Sequence, residues 1–439
     1  MDRYRGRLPP PTGCGKRMAF ARLVGLSLVL GCRSDRAAPD AGTTVADSNS
    51  PESDAAMGTA PTLDARPGLG GGSPCDASEQ CLSGACTLGA CSDWAHVMQI
   101  GIDTTPAGAD VGETVMAFPL LVRLDATNFA FAEARKDGSD IRFLDSGGNN
   151  LGQEIERWDA PNAMAEIWVL VPRIIGNSRN NTVLMYWGDP LAATTSSGPS
   201  VFKGYSCVFH MGEDPNKAAS QFEDSSGRNN DGTQRPAGRD LHSEGIIGTG
   251  LALDGMSVLT TSLPLPPPQT MAISLWLKTT SPAGGAIASF ANKPTGNALS
   301  HDRSVTMNSS GRLSFSVLHG GVLATVTSLT RYNDGLWHFV VARFSSSGQY
   351  LFVDGEAVAD DPTMTSADGY NSGSWRFGAI TEPPPPAEPT DAAMAAGDYF
   401  TGTIDEARIN TNEPSDAWIK LSYATQRPGT AAVVYSALE

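Results

Sequence analysis

The chain has 439 residues, enough for roughly two or three domains. Its net charge is −16 at pH 7, which argues against a nucleic-acid partner because phosphates require a surface rich in Lys and Arg. Gly (47) and Pro (30) are abundant, which is typical of an all-β protein with many turns. We therefore expect two antiparallel β-sandwich domains after a disordered N-terminal tether.

Residues 1–31 have the layout of a signal peptide. Basic residues precede the apolar run LVGLSLVL, which is too short to span a membrane. The motif VLGC that ends at Cys32 resembles the bacterial lipobox, which implies that Cys32 is diacylated and becomes the mature N-terminus. The prediction is an exported lipoprotein of the bacterial envelope, attached to the outer membrane or cell surface by its lipid anchor. An ordinary signal peptide is the alternative, and a start at Met18 leaves the lipobox intact.

Residues 32–73 are rich in small and polar residues and poor in large apolar ones, so we expect a disordered tether. Residues 74–93 resemble the cysteine-rich stretches of myxobacterial surface lipoproteins, a resemblance that implies no activity. Outside the cytoplasm, four closely spaced cysteines predict two disulfides within a mini-module: Cys75, Cys81, Cys86 and Cys91. Three pairings are possible. A zinc site is the alternative, which the lack of a C-x₂-C pair and an oxidising compartment disfavour.

Residues 94–193 are predicted to form the first sandwich, with one helical candidate at Asn128–Arg135. The segment resembles a domain of unknown function that precedes laminin-G-like modules in bacterial surface proteins, through the motifs FPLLV, GSDIRF, EIERW, AEIWV and MYWGD. The resemblance implies no chemistry. Short apolar runs separated by turn signals predict the strands His96–Ile102, Phe118–Leu124, Ile141–Leu144, Glu166–Val171 and Thr182–Trp187.

Glu154 and Glu156 lie two residues apart on a predicted strand, so their side chains share a face. A pair of carboxylates can serve a glycosidase, which needs one on each side of the bond that it cleaves. A solvated strand face with Arg157 nearby is the favoured interpretation.

Residues 203–428 resemble a laminin-G-like, concanavalin-type jelly roll, through the motifs VFHM, DSSGRNNDGT, GLALDG, MAISLWL, WHFVVA, YLFVDG and FTGTIDEARI in chain order. Ile273, Leu275 and Leu277 alternate with other residues, as in strands that bury one face in a two-sheet stack. Residues 411–428 predict an amphipathic helix with Ser415 as its N-cap and Pro428 beyond its end.

The resemblance implies one calcium ion, and calcium requires several oxygen ligands. The candidate ligands are Asp224, Asn230 and Asp231 in the polar turn, with Asp405 in the closing strand. A solvated Asx-rich turn is the alternative. The resemblance also implies glycan or protein binding at one sandwich edge, for which the aromatic candidates are Tyr332, Tyr370 and Trp375. Each of these aromatics can equally belong to the core.

The jelly-roll segment contains no E-x-D-x-E strand, no histidine pair at metal-ligand spacing and no G-x-S-x-G motif. The leading hypothesis is a non-catalytic, lectin-like or adhesin-like lipoprotein that binds a glycan or a surface protein. A polysaccharide-degrading enzyme and a structural envelope protein are the alternatives.

Overall fold

The computed structural model describes residues 86–87, 90–91, 94–213, 221–292, 301–370, 372–380 and 399–436, with the backbone alone for residues 86–87, 90–91 and 301. Cys32, Cys75 and Cys81 lie outside the described residues. The described secondary structure is almost entirely antiparallel β, which confirms the predicted fold class. Within these ranges, no helix combines the length and apolar character that a membrane crossing requires.

Two short strands, β1 (Cys86–Thr87) and β2 (Ala90–Cys91), form an antiparallel pair in the cysteine-rich segment. The register places Cys86 opposite Cys91.

The first sandwich stacks a three-stranded sheet on a four-stranded sheet. Its strands are β3 (His96–Ile102), β4 (Val115–Asp125), β5 (Arg142–Asp145), β6 (Gln153–Asp159), β7 (Met164–Ile174), β8 (Asn181–Trp187) and β24 (Val433–Tyr435). The orders are β4-β7-β6 and β24-β3-β8-β5. All five predicted strands are found, in part with shifted ends. Strand β24 comes from the end of the chain and pairs with β3, so residues 94–193 share this sandwich with a distant segment.

The predicted helix at Asn128–Arg135 is wrong, because only a single 3-10 turn forms there, at Phe131–Glu133. Phe129 and Phe131 are both buried although they are two residues apart, a spacing that does not fit one face of a helix. Their rings pack against each other at 4.9 Å and Phe129 also contacts Trp187 at 5.0 Å. Core packing of the two rings therefore overrides the local helical pattern.

A five-residue helix, α1 (Gly198–Phe202), connects the first sandwich to the second. The second sandwich stacks a seven-stranded sheet on an eight-stranded sheet. The seven-stranded sheet contains, in order, β10 (Gly232–Arg235), β13 (Val258–Thr261), β22 (Ser374–Phe377), β15 (Gly285–Ala291), β16 (His301–Met307), β17 (Leu313–His319) and β18 (Val322–Thr327).

The eight-stranded sheet contains, in order, β11 (His242–Glu244), β12 (Thr249–Asp254), β23 (Thr401–Asn410), β14 (Met271–Lys278), β19 (Trp337–Ser345), β20 (Gly348–Val353) and β21 (Glu356–Asp361). Strand β9 (Tyr205–Phe209) also pairs with β23. The predicted alternation holds in β14, because Ile273, Leu275 and Leu277 lie in the core between the two sheets.

The predicted C-terminal helix is confirmed as α2 (Asp416–Gln426), and the Ser415 hydroxyl accepts the N–H of Trp418 at 3.2 Å. This helix lies in a core that both sandwiches share. Trp418 meets Phe118 of the first sandwich, with ring centroids 5.6 Å apart. The indole N–H of Trp276 in the second sandwich donates to Oε1 of Gln426 at 2.8 Å. The outer face of β14 is therefore covered by α2.

Candidate functional site

A cavity of about 170 Å³ opens at one edge of the second sandwich, where the two sheets meet. Most of its wall is apolar and is formed by Leu265, Pro266, Pro268, Met271, Trp375 and Ile409. Polar groups come from Ser206, Arg228, Asn410 and Thr411. The volume is below the roughly 300–1,000 Å³ of sites for drug-sized ligands, so the cavity suits a group about the size of one ring.

Trp375 forms the aromatic wall of this edge cavity. Its ring packs against Phe290 with centroids 4.9 Å apart, and 1% of the residue surface is exposed. Its backbone N–H donates to the hydroxyl of Thr261 at 3.0 Å. Strand pairing and core packing therefore hold the indole in a fixed orientation.

Arg228 borders the cavity from the polar turn that the sequence singled out. Its Nε donates to the carbonyl oxygen of Tyr205 at 2.6 Å, and the side chain is otherwise exposed. The turn itself is held by Asp224, whose carboxylate accepts the backbone N–H groups of Ser226 and Asn230 at 2.9 and 3.0 Å. A rigid turn thus positions one cationic group beside an apolar cavity.

Residues 254–420 match the concanavalin A-like lectin/glucanases superfamily. The chain carries a concanavalin-like domain. Residues 137–232 match a family described as a domain of unknown function (DUF2341). The matched segment ends at Gly232, the first residue of β10. No curated protein matches the chain significantly.

Solved structures resemble about half of the chain at low identity. Domain 4 of AbnA, an extracellular arabinanase from Geobacillus stearothermophilus, in complex with arabinotriose, is 14% identical with a TM-score of 0.35, over 49% of this chain and 96% of that one. The receptor binding domain of botulinum neurotoxin D is 15% identical, with a TM-score of 0.36. The binding domain of Paraclostridial Mosquitocidal Protein 1 is 11% identical, with a TM-score of 0.37. The chain spans 53% of each toxin domain and the match covers 51% of this chain.

A second polar feature, the acid–histidine cluster, lies where the first sandwich meets the concanavalin-like domain. It comprises Glu154, Glu156, His210, Asp405 and Glu406. The carboxylates of Glu154 and Glu156 both approach the His210 ring, at 3.4 Å from Nε2 and 3.5 Å from Nδ1. The prediction that the two side chains share a face is therefore confirmed. The interpretation of that face as solvated is wrong, because only 13% of the Glu154 side-chain surface and 5% of the Glu156 side-chain surface are exposed.

Glu406 completes the surroundings of His210 from the closing strand. Its Oε1 lies 2.8 Å from Nδ1 of the ring, and its other oxygen pairs with Arg408. Glu406 has a φ of 53°, and the pairing of β14 with β23 shifts register beside it. Such a bulge changes the direction of a side chain, which explains how the consecutive residues Asp405 and Glu406 both place their carboxylates in this buried junction.

The pKa values within the acid–histidine cluster are strongly perturbed. Burial alone would raise the pKa of Glu406, but His210 and Arg408 lower it to about 2. Burial alone would lower the pKa of His210, but the neighbouring carboxylates, Glu406 foremost, raise it well above its usual value. Burial, reinforced by Glu406, raises the pKa values of Glu156 and Asp405. Burial and mutual repulsion therefore oppose the ionisation of all of these carboxyl groups at once.

The predicted calcium ligands have different hydrogen-bond partners in the polar turn and in the closing strand. In the polar turn, Asp231 accepts the backbone N–H of Asp224 at 3.0 Å, and Asn230 accepts that of Leu263 at 2.9 Å. Asp405 instead accepts the backbone N–H groups of Ile246 and Ile247, both at 2.9 Å. Each side chain thus has a hydrogen-bonding role in the fold, and calcium binding stays a prediction.

The predicted aromatic ligand residues also separate. Tyr332 is 8% exposed and packs edge-on against His338 at 4.9 Å. Tyr370 packs against Phe290 at 5.9 Å, and burial raises its pKa to about 12. Trp375 lines the edge cavity, which neither tyrosine does, and ligand binding by any of the three stays a prediction.

Proposed function

We propose that this chain is an exported, lipid-anchored envelope protein whose concanavalin-like domain binds a glycan at the edge cavity without cleaving it. The observation that carries the proposal is the cavity itself, which combines the indole of Trp375 with the polar groups of Arg228 and Asn410. Binding sites typically pair apolar and aromatic walls with a few placed polar groups. A sugar ring offers both an apolar face for the apolar wall of the cavity and hydroxyls for its polar rim.

The family description supports a carbohydrate ligand, because lectins and glucanases share this fold. A fold alone does not define function, so the site must carry the argument. The cavity admits about one ring, which favours recognition of a chain end or a single residue within a glycan. A surface protein that inserts one side chain is the alternative ligand.

The non-catalytic part of the proposal rests on the positions of the carboxylates. A glycosidase places two carboxyl groups on opposite sides of the bond that it cleaves, in contact with substrate. Here Glu154 and Glu156 face the buried ring of His210, and Glu156 also accepts the indole N–H of Trp168 at 2.7 Å. These contacts occupy both carboxylates within the protein.

The anchor at Cys32 lies outside the described residues and rests on the lipobox motif. Its test is metabolic labelling with a radioactive fatty acid, which should mark the wild type and not Cys32→Ala. Label on both proteins, or on neither, would contradict the anchor.

Binding is tested with the purified full chain on a glycan array, with and without calcium. We expect retention of a small set of glycans. Arg228→Gln should weaken that binding about tenfold or more, because it removes a charged hydrogen-bond donor from the rim. The control is Arg331→Gln, an exposed arginine outside the cavity, which should leave binding unchanged.

Two outcomes would count against parts of the proposal. The absence of binding on the array in both conditions would overturn glycan binding. Release of shorter products from a bound glycan would overturn the non-catalytic assignment. Binding that survives chelation would remove calcium from the recognition step without affecting the cavity.

A further inference from the structure

The acid–histidine cluster brings together three side chains that commonly bind transition metals. Glu156 comes from β6 of the first sandwich, His210 follows β9, and Glu406 lies in β23. One ligand-type atom from each of these side chains lies within 4.8 Å of the other two. We propose that Glu156, His210 and Glu406 bind one divalent transition-metal ion, such as Zn²⁺, which links the first sandwich to the concanavalin-like domain.

The distances around one ring nitrogen fit such an ion. Nδ1 of His210 lies 2.8 Å from Oε1 of Glu406 and 3.5 Å from Oε2 of Glu156. Nitrogen and oxygen ligands lie about 2.0–2.1 Å from zinc, which puts tetrahedral ligand atoms roughly 3.3 Å apart. The two observed distances bracket this value, so small side-chain movements would complete the geometry.

A comparison with His338 shows why an ion explains the arrangement better than a hydrogen bond. His338 also has two carboxylate partners, Asp354 at Nδ1 and Asp334 at Nε2, one for each ring nitrogen. His210 likewise has a carboxylate at Nε2, from Glu154, but two further carboxylates, of Glu406 and Glu156, converge on Nδ1. A single N–H points at one acceptor well, whereas a cation can contact both carboxylates and the nitrogen lone pair at once.

The groups around the three ligands orient them in the manner of a metal site. Oε2 of Glu154 lies 3.4 Å from Nε2 of His210, where it can hold the ring proton and leave Nδ1 free for the ion. Trp168 donates to Glu156, and Arg408 donates to Glu406. Metal-binding histidines typically donate their second N–H to a carboxylate, and ligating carboxylates are themselves hydrogen-bonded.

The charges of this buried junction also favour a divalent ion. Four carboxylates lie there, at Glu154, Glu156, Asp405 and Glu406. Guanidinium groups nearby include Arg408, which pairs with Glu406, and Arg123, whose Nη2 donates to the carbonyl of Ile246 at 3.1 Å. The carboxyl groups outnumber the guanidinium groups at this junction, which favours binding of a cation. Calcium prefers oxygen ligands alone, so the imidazole favours a transition metal.

The test is a titration of the chelator-treated full chain with Zn²⁺ by calorimetry, followed by Co²⁺ absorption spectroscopy. We expect one ion per chain and a Co²⁺ spectrum typical of nitrogen and oxygen ligands. Glu156→Gln and Glu406→Gln should weaken binding on the order of 100-fold. Glu154→Gln, which removes a positioning group, should weaken it roughly 10- to 100-fold while one ion still binds. His338→Asn is the matched control and should bind like the wild type.

Failure of the wild type to bind Zn²⁺ or Co²⁺ stoichiometrically would overturn the metal site and leave a buried ion pair around His210. Binding that Glu156→Gln and Glu406→Gln leave unchanged, in variants whose near-UV circular dichroism matches the wild type, would place the ion elsewhere and also overturn it. Neither result depends on the glycan array, because the cluster and the edge cavity share no residue.

Discussion

The backbone N–H of Arg123 donates to the phenol oxygen of Tyr435 at 2.9 Å, although 312 residues separate them in the chain. This bond joins β4 of the first sandwich to the strand that the end of the chain adds to the opposite sheet. Burial raises the pKa of Tyr435 to about 12, which keeps the phenol neutral. The first sandwich and the concanavalin-like domain are thus interleaved along the chain.

Tyr435→Phe should lower the free energy of unfolding by about 1–2 kcal/mol, because the Arg123 N–H would lose its acceptor. Urea unfolding followed by circular dichroism measures the change. The control is Tyr350→Phe, whose hydroxyl donates to the Ser347 carbonyl at 3.0 Å in an exposed position where water can replace it. Equal losses in the two variants would contradict a special role for Tyr435.

Ser415→Ala should destabilise the protein by about 1 kcal/mol, because the Ser415 hydroxyl caps the first turn of α2. The helix packs between the two sandwiches, so its fraying should expose tryptophan to solvent. Thermal unfolding monitored by tryptophan fluorescence is the measurement. Ser310→Ala, in an exposed turn, is the control and should match the wild type. A wild-type melting temperature for Ser415→Ala would exclude the capping role.

His338 should stabilise the fold in a pH-dependent way. Burial alone would lower its pKa, but hydrogen bonds and charge interactions with Asp354 and Asp334 raise it. A raised folded-state pKa means that the stabilisation is complete below the unfolded value and disappears as pH rises through the folded value.

His338→Asn should therefore cost about 1 kcal/mol near pH 6 and markedly less near pH 9. Urea unfolding of the variant and the wild type at both pH values gives the two differences. A difference that is constant, or that grows with pH, would show that packing against Tyr332 matters more than charge.

Cys207 should resist thiol reagents in the native protein. Its side chain lies in β9 and is fully buried. Burial raises the pKa of the thiol well above its usual value, which disfavours the reactive thiolate. Alkylation followed by peptide mass analysis should label Cys207 only after denaturant is added. Rapid labelling of Cys207 in buffer would show that β9 opens readily.

Among the three possible pairings in the cysteine-rich segment, the backbone favours a Cys86–Cys91 bridge. Opposed residues of an antiparallel pair have Cα atoms about 4.5–5.5 Å apart, within the range that a disulfide spans. Non-reducing peptide mapping of the exported protein should recover these two cysteines as one linked peptide pair. A link from Cys86 to Cys75 or Cys81 would contradict this pairing.

The amino-acid sequence by itself determined the fold class and most of the strands. Period-2 alternation in β14, and cap chemistry at Ser415, depend on neighbours along the chain, which a sequence shows directly. The motifs at residues 137–232 and 254–420 likewise carry enough local pattern to identify both domain types.

Only the tertiary structure decided where the candidate sites lie. Glu156, His210 and Glu406 come from three segments far apart in sequence, and none of them stands out by itself. The sequence pattern around Glu154 and Glu156 is typical of a solvated strand face. The neighbouring residues in the chain do not show that the concanavalin-like domain covers this face. Trp375 could not be separated from Tyr332 and Tyr370 by pattern, because whether a buried ring also borders a cavity depends on how two sheets meet. Local preferences depend on residues that are neighbours in the chain. Burial, and the convergence of distant residues on one site, depend on contacts that form only when the chain folds.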